Sequence, residues 1–178
     1  MIGCAMEESR EANDIERHLD RLTSTVFLST IVQSVIHPLR DAQPALDWRC
    51  SVSPDALTFR VGVADVTFDF VFWLGNLERF SFFIADREII DEFLESREQA
   101  EALAACLHEI LSSPVTIVEH TRDSDGLAVK REYHYTLSRP DGAERVAEAV
   151  TLSGSKLETG ERIRRASTTV TLMRPVAD

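Results

Sequence analysis

The chain has 178 residues, 44% of them hydrophobic and 28% charged, and a formal net charge of −11. Such a length and balance suit a folded chain that buries about 70% of its extended surface, and exclude wholesale disorder. The acidity is uneven: residues 1–120 carry 21 acids against 9 bases and residues 121–178 carry 9 against 10, so most of the molecule would repel a nucleic-acid backbone.

Cys4 stands near the start, but only three residues precede it, with neither a basic end nor an apolar stretch, so no signal peptide is expected. Met6 offers an alternative start. Residues 10–37 have the spacing of a helix, with Ile15, Leu19, Leu22 and Val26 on one stripe, continued with a small shift by Leu28, Val32 and Val35. Ser24 and Thr25 are placed to bend or split it, and Pro38 is expected to end it. The longest apolar run, Val26 to Ile36, is broken by Ser29, Thr30, Gln33 and Ser34 and is far shorter than the roughly 20 residues a membrane span needs. The expected location is therefore the cytoplasm, with no membrane partner. Cys4, Cys50 and Cys106 are odd in number and widely spaced, which argues against disulfides and paired-cysteine metal sites. Cys50 and Cys106 are expected to be small buried hydrophobes.

From Trp48 the pattern switches to period two. Four strands are predicted: Trp48–Val52, Leu57–Val63, Val66–Trp73 and Arg79–Ile84. A four-residue Ser53-Pro54-Asp55-Ala56 connection sets Val52 by Leu57, Cys50 by Phe59 and Trp48 by Val61. A turn at Ala64-Asp65 then sets Val61 by Phe68 and Phe59 by Phe70, and an odd loop centred on Asn76 sets Phe72 by Phe80 and Phe70 by Phe82. Every large ring falls on one face, and a one-residue slip would undo this, so the registers support one another. A tight Gly75-Asn76 turn is rejected, because burying the ring stripe, at about 2 kcal/mol per ring, outweighs a turn preference.

Residues 86–113 are predicted as two helices. Asp86 would cap the first, with Ile89, Ile90, Phe93 and Leu94 inward, and Ser96 with Gln99 forms a capping box for the second. Four further strands follow: Val115–Thr121, Val129–Leu137, Glu144–Leu152 and Arg164–Met173. The predicted class is α+β: an N-terminal helix, a four-stranded antiparallel meander, a helical pair and a second four-stranded antiparallel set, with helices on one sheet face. One domain over 1–178 is expected, with halves 1–84 and 85–178 that are not independent.

Chemistry-bearing motifs are few. No glycine-rich phosphate loop or nucleophile elbow occurs; no catalytic residue, metal ligand set or cofactor is assigned. His18, His37 and His108 fall on helices or helix ends without a second ligand at the next turn. One polar cluster can be built, from Glu132, His134 and, across a Pro140-Asp141-Gly142 turn, Glu148, with His120 or Glu119 nearby. The plainer reading is a solvated sheet face. Asp69, which interrupts the aromatic strand, is expected opposite Arg60 in an Arg49–Arg60–Asp69 row on the outer face.

Val71, Trp73 and Phe83 share that outer face, where apolar residues either lie under a further layer, such as the second strand set, or mark an interface; they are the partner-binding candidates. The run from Asp86 to Glu101 carries seven acids and two arginines, suited to a solvated face or a basic partner. The small acidic α+β character is similar, in architecture alone, to bacterial secretion chaperones and toxin-immunity proteins. The expected function is a non-enzymatic protein-binding module acting on a protein partner or by self-association. The alternative is a small-molecule-binding protein or enzyme whose pocket is lined by the second strand set.

Overall fold

The computed structural model of the chain describes residues 14–64, 66–75, 77–139, 142–151 and 162–173. Helix and antiparallel sheet coexist, with one sheet of five strands and one of four. The backbone divides into two compact units, Met1–Ala105 and Cys106–Asp178.

In the first unit, helix α1 covers 14–23 and buries Ile15, Leu19 and Leu22. It stops where Thr23, Ser24 and Thr25 donate their hydroxyls to carbonyls three residues back, in competition with the helical ladder. Val26, expected in the buried stripe, sits in this break and is 71% exposed. Helix α2 covers 28–42 and contains a π-helical turn, Val32–Ile36, closed by the His37 N–H donating to Val32 C=O. The expectation that Pro38 ends the helix is corrected here, since helical structure continues through His37–Ala42. Proline lacks an N–H and crowds the carbonyl one turn back. The wider turn just before it, with proline in the first turn of the resumed α-helix, accommodates both defects.

No side chain of Phe27 caps α2. Instead Glu78, far along the chain, accepts the N–H groups of Val26, Phe27 and Leu28 at 2.8, 2.7 and 2.7 Å. The helix start is thereby tied to the sheet.

The sheet strands are β1 (Asp47–Val52), β2 (Ala56–Val63), β3 (Val66–Leu74), β4 (Glu78–Ile84) and β5 (Arg87–Leu94), each paired antiparallel with its neighbour in sequence. Every predicted pair in the first three hairpins is found, including Cys50 with Phe59, Phe59 with Phe70, and Phe70 with Phe82. Asp65 and Asn76, which the predicted turns invoke, lie outside the described residues. Phe59, Phe68, Phe70, Phe72, Phe80 and Phe82 are fully buried. Their rings pack edge-on or tilted, with centroids 5.7 Å apart for Phe59–Phe72, 5.1 Å for Phe70–Phe82 and 5.2 Å for Phe72–Phe80, the spacing that favours aromatic pairs.

The fifth strand corrects the predicted helical pair: 87–94 is strand, not helix. The apolar set Ile89, Ile90, Phe93 and Leu94 satisfies a helical stripe and, read as Ile90 and Leu94 against Asp91 and Phe93, a strand alternation as well. The open edge of β4 decides between them. Ala85, at φ 53°, turns the chain back, and β5 then completes a ladder with Phe82 opposite Ile90, with a register shift between Phe82 and Phe83 absorbing the odd residue. The capping box does form: Gln99 N–H donates to Ser96 Oγ and Ser96 N–H to Gln99 Oε1, both at 3.2 Å. It opens helix α3 (Arg97–Ser112). Cys50 and Cys106 are half-buried free thiols rather than fully buried ones. Burial first, then the charge of Asp14, pushes the Cys50 thiol up, which keeps it protonated and inert.

In the second unit, β6 (Val115–Arg122), β7 (Ala128–Arg139), β8 (Gly142–Thr151) and β9 (Ile163–Val170) form a sheet ordered β8-β7-β6-β9. Val129, Tyr133 and Tyr135 of β7 are buried on one face, beside Val115 and Val170. The N–H groups of Leu172 and Met173 donate to Leu111 C=O, holding the end of the chain to α3.

Candidate functional site

Two surfaces bring functional side-chain types together, one in each unit. The first is the outer face of the five-stranded sheet, opposite the phenylalanines. Strand alternation puts Val71 and Trp73 there from β3, Arg79, Ser81 and Phe83 from β4, and Asp91 and Phe93 from β5. Arg79 is the centre. Its guanidinium carbon lies 5.1 Å from the Trp73 ring centroid and 5.2 Å from that of Phe93, within cation–π range of both. Arg79 Nε donates to Asp91 Oδ1 at 2.7 Å and its second nitrogen to Asp91 Oδ2, a two-point pairing. Ser81 closes the network, accepting from Trp73 Nε1 at 3.0 Å and donating to Asp91 at 2.8 Å. The Arg79 bond holds the Asp91 carboxyl below the usual carboxylate range, helped by Ser81, and Asp91 in turn raises Arg79. Both therefore stay charged at neutral pH.

Of the predicted contact residues, Val71 is 8% exposed and offers almost no surface, while Trp73 and Phe83 are half-buried. The aromatic side chain that does protrude from this face is Phe93, at 52%. Phe93, expected in a helix interior, lies instead in β5 on the same outer face as Asp91. The outer row also departs from expectation in part. Arg60 pairs with Asp69 at two points, Nε to Oδ1 at 2.6 Å, but Arg49 bonds Asp47 on its own strand instead of joining them. Arg49 and Arg60 are directly opposite, and like charges in that relation repel.

The second surface is one face of the four-stranded sheet, where Glu132 is the centre. Its carboxylate lies 2.7 Å from Lys130 Nζ, 3.1 Å from His120 Nε2, 3.6 Å from His134 Nε2 and 3.8 Å from an Arg165 nitrogen. His120 Nε2 is buried and not aligned for a hydrogen bond despite its closeness. The Lys130 hydrogen bond, with the charges of Lys130 and His120, holds the Glu132 carboxyl at about 2.

No known protein family, curated protein or solved structure matches this chain. The assignment of chemistry thus rests on geometry.

The expected trio is only partly brought together. Glu132 and His134 share a face, but Glu148 pairs with Tyr133, not His134, and accepts from the Tyr135 hydroxyl at 3.1 Å on the opposite face. Gly142 pairs with Arg139; Pro140 and Asp141, which the predicted turn invokes, lie outside the described residues. Glu119 also lies on that opposite face, bonded to Arg131 at 2.8 Å, whereas His120 does join the cluster. A carboxyl held near 2 is a permanent anion at neutral pH and a poor general acid or base. Among the described residues no three histidine, cysteine or acidic side chains are placed to hold a metal ion, and no helix is long and apolar enough to cross a membrane.

Proposed function

We propose that this protein is a binding module that recognises a protein partner through the outer face of its five-stranded sheet. The observation that carries the reading is the Trp73–Arg79–Phe93 stack, in which Trp73 Nε1 is bonded to Ser81 and Arg79 is held at two points by Asp91. Tryptophan and arginine dominate the energetics of protein contacts when they are rigid and desolvated on binding. Here the arginine is fixed by its carboxylate, so little rotamer freedom is lost when a partner covers it. The adjoining edge strand β5 exposes Glu88, Asp91 and Glu92, charges that discourage strand addition and leave the face as the contact surface. The acid excess of residues 1–120 favours a partner with a basic rim around an apolar or planar centre.

The test is affinity capture from the native cell extract with three baits: wild type, Trp73→Ala and Phe93→Ala. A partner retained by wild type and lost by both variants supports the reading. A partner profile identical for all three baits removes it.

A further inference from the structure

Beyond partner contact, we propose that the Glu132 face of the four-stranded sheet is a binding site for a small oxyanion, a carboxylate or a phosphate. Beside Glu132 the sheet holds a depression of about 360 Å³, lined by Thr116, His134, Thr136, Arg165 and Ser167. That volume is within the range of small-ligand sites. Pro114, Tyr135, Val146 and Val118, the last buried at 3% exposure, complete the lining, so apolar surface stands beside the polar groups.

The charge count on this face gives the sign of the ligand. Lys130, Arg165 and the imidazoles of His120 and His134 surround a single carboxylate. Glu132 offsets one positive charge and sits nearest Lys130. Arg165, 3.8 Å from Glu132 and 63% exposed along its side chain, reaches it only beyond hydrogen-bond distance. Arg165 also lines the depression, and a planar guanidinium can take an oxyanion at two points. His134 lines the same depression and is 42% exposed, and the hydroxyls of Thr116, Thr136 and Ser167 add donors. Such a set of arginine, imidazole and hydroxyl donors satisfies the several lone pairs of a carboxylate or phosphate. Glu132 is then a competitor of the ligand, which makes a distinctive prediction: removing its charge should strengthen binding.

The full-length protein is titrated with inorganic phosphate, with succinate and, at matched ionic strength, with sodium chloride, reading the imidazole resonances of His120 and His134 by NMR. The site predicts saturable shifts of His134 with phosphate or succinate, and the tighter arm identifies the ligand class; chloride should give only a shallow linear drift. Arg165→Ala should weaken binding at least about tenfold, and Glu132→Gln should strengthen it several-fold. Equal responses to all three salts, unchanged affinity in Arg165→Ala, or weaker binding in a folded Glu132→Gln would overturn the proposal. Should Glu132→Gln fail to fold, Arg165→Ala decides alone, since that side chain is largely exposed and its removal should leave the protein folded.

Discussion

The two sheets solve the same problem, one dry face and one wet, with opposite electrostatics on the wet side. On the five-stranded sheet two outward arginines each have a dedicated carboxylate with two contacts: Arg60 with Asp69, Arg79 with Asp91. On the four-stranded sheet one carboxylate, Glu132, is shared among Lys130, His120, His134 and Arg165. The difference teaches what each surface suits. Paired charges between aromatic rings leave a nearly neutral, stiff patch whose gain on contact comes from covering rings. A shared carboxylate leaves positive charge over, and that positive charge invites an anion.

The chain carries its own reporters for separating the two. Both tryptophans, Trp48 and Trp73, lie in the first unit, and both tyrosines, Tyr133 and Tyr135, lie in the second. Denaturation followed through each chromophore therefore reads each unit by itself. The largest effect is expected from Phe70→Ala, which empties the centre of the ring cluster between Trp48 and Phe82. It should lower the stability read by tryptophan by about 3–5 kcal/mol. Next comes Glu78→Ala, which strips the shared acceptor from the N–H groups of Val26, Phe27 and Leu28 at the start of α2. A loss of about 1–2 kcal/mol is expected, again in the tryptophan signal, as for loss of a helix cap.

Acid should act on the second unit through Glu132, whose carboxyl is the one held down to about 2. The Glu132 carboxyl titrates lower in the folded protein than in the unfolded chain, so its contribution is fully present above the ordinary carboxylate range. That contribution is lost as pH falls from about 4.5 toward about 2. Tyrosine-detected stability should decline across that window in wild type and decline less in Glu132→Gln; equal slopes would remove Glu132 as the anchor of its cluster. The smallest effect belongs to Arg49→Ala. Its only described ion pair is with exposed Asp47, and it faces another arginine, so the change should stay within about 0.5 kcal/mol of wild type.

The same contrast explains what could be read in the sequence. Where a face is filled by Phe59, Phe68, Phe70, Phe72, Phe80 and Phe82, a slip of one residue would expose rings, and the predicted pairing is the observed one throughout β1–β4. Where both faces carry polar residues, as along 130–136, the pattern has no such penalty, and Glu148 was assigned one position away from its actual partner. The strand β5 escaped because its apolar residues fit both periods, and its neighbour β4, not its own pattern, selects the strand. Arg79 and Phe93 were missed as a consequence, since only β5 brings Phe93 beside Arg79. The capping box at Ser96 and Gln99 was legible because it is entirely local.

The contact role of the outer face is tested most directly by hydroxyl-radical footprinting of the complex recovered by affinity capture, against the free protein. Covering the stack should protect Trp73 and Phe93 from oxidation while Trp48, on the opposite face of the sheet, oxidises at an unchanged rate. Phe93 oxidised as fast in the complex as in the free protein would contradict the account.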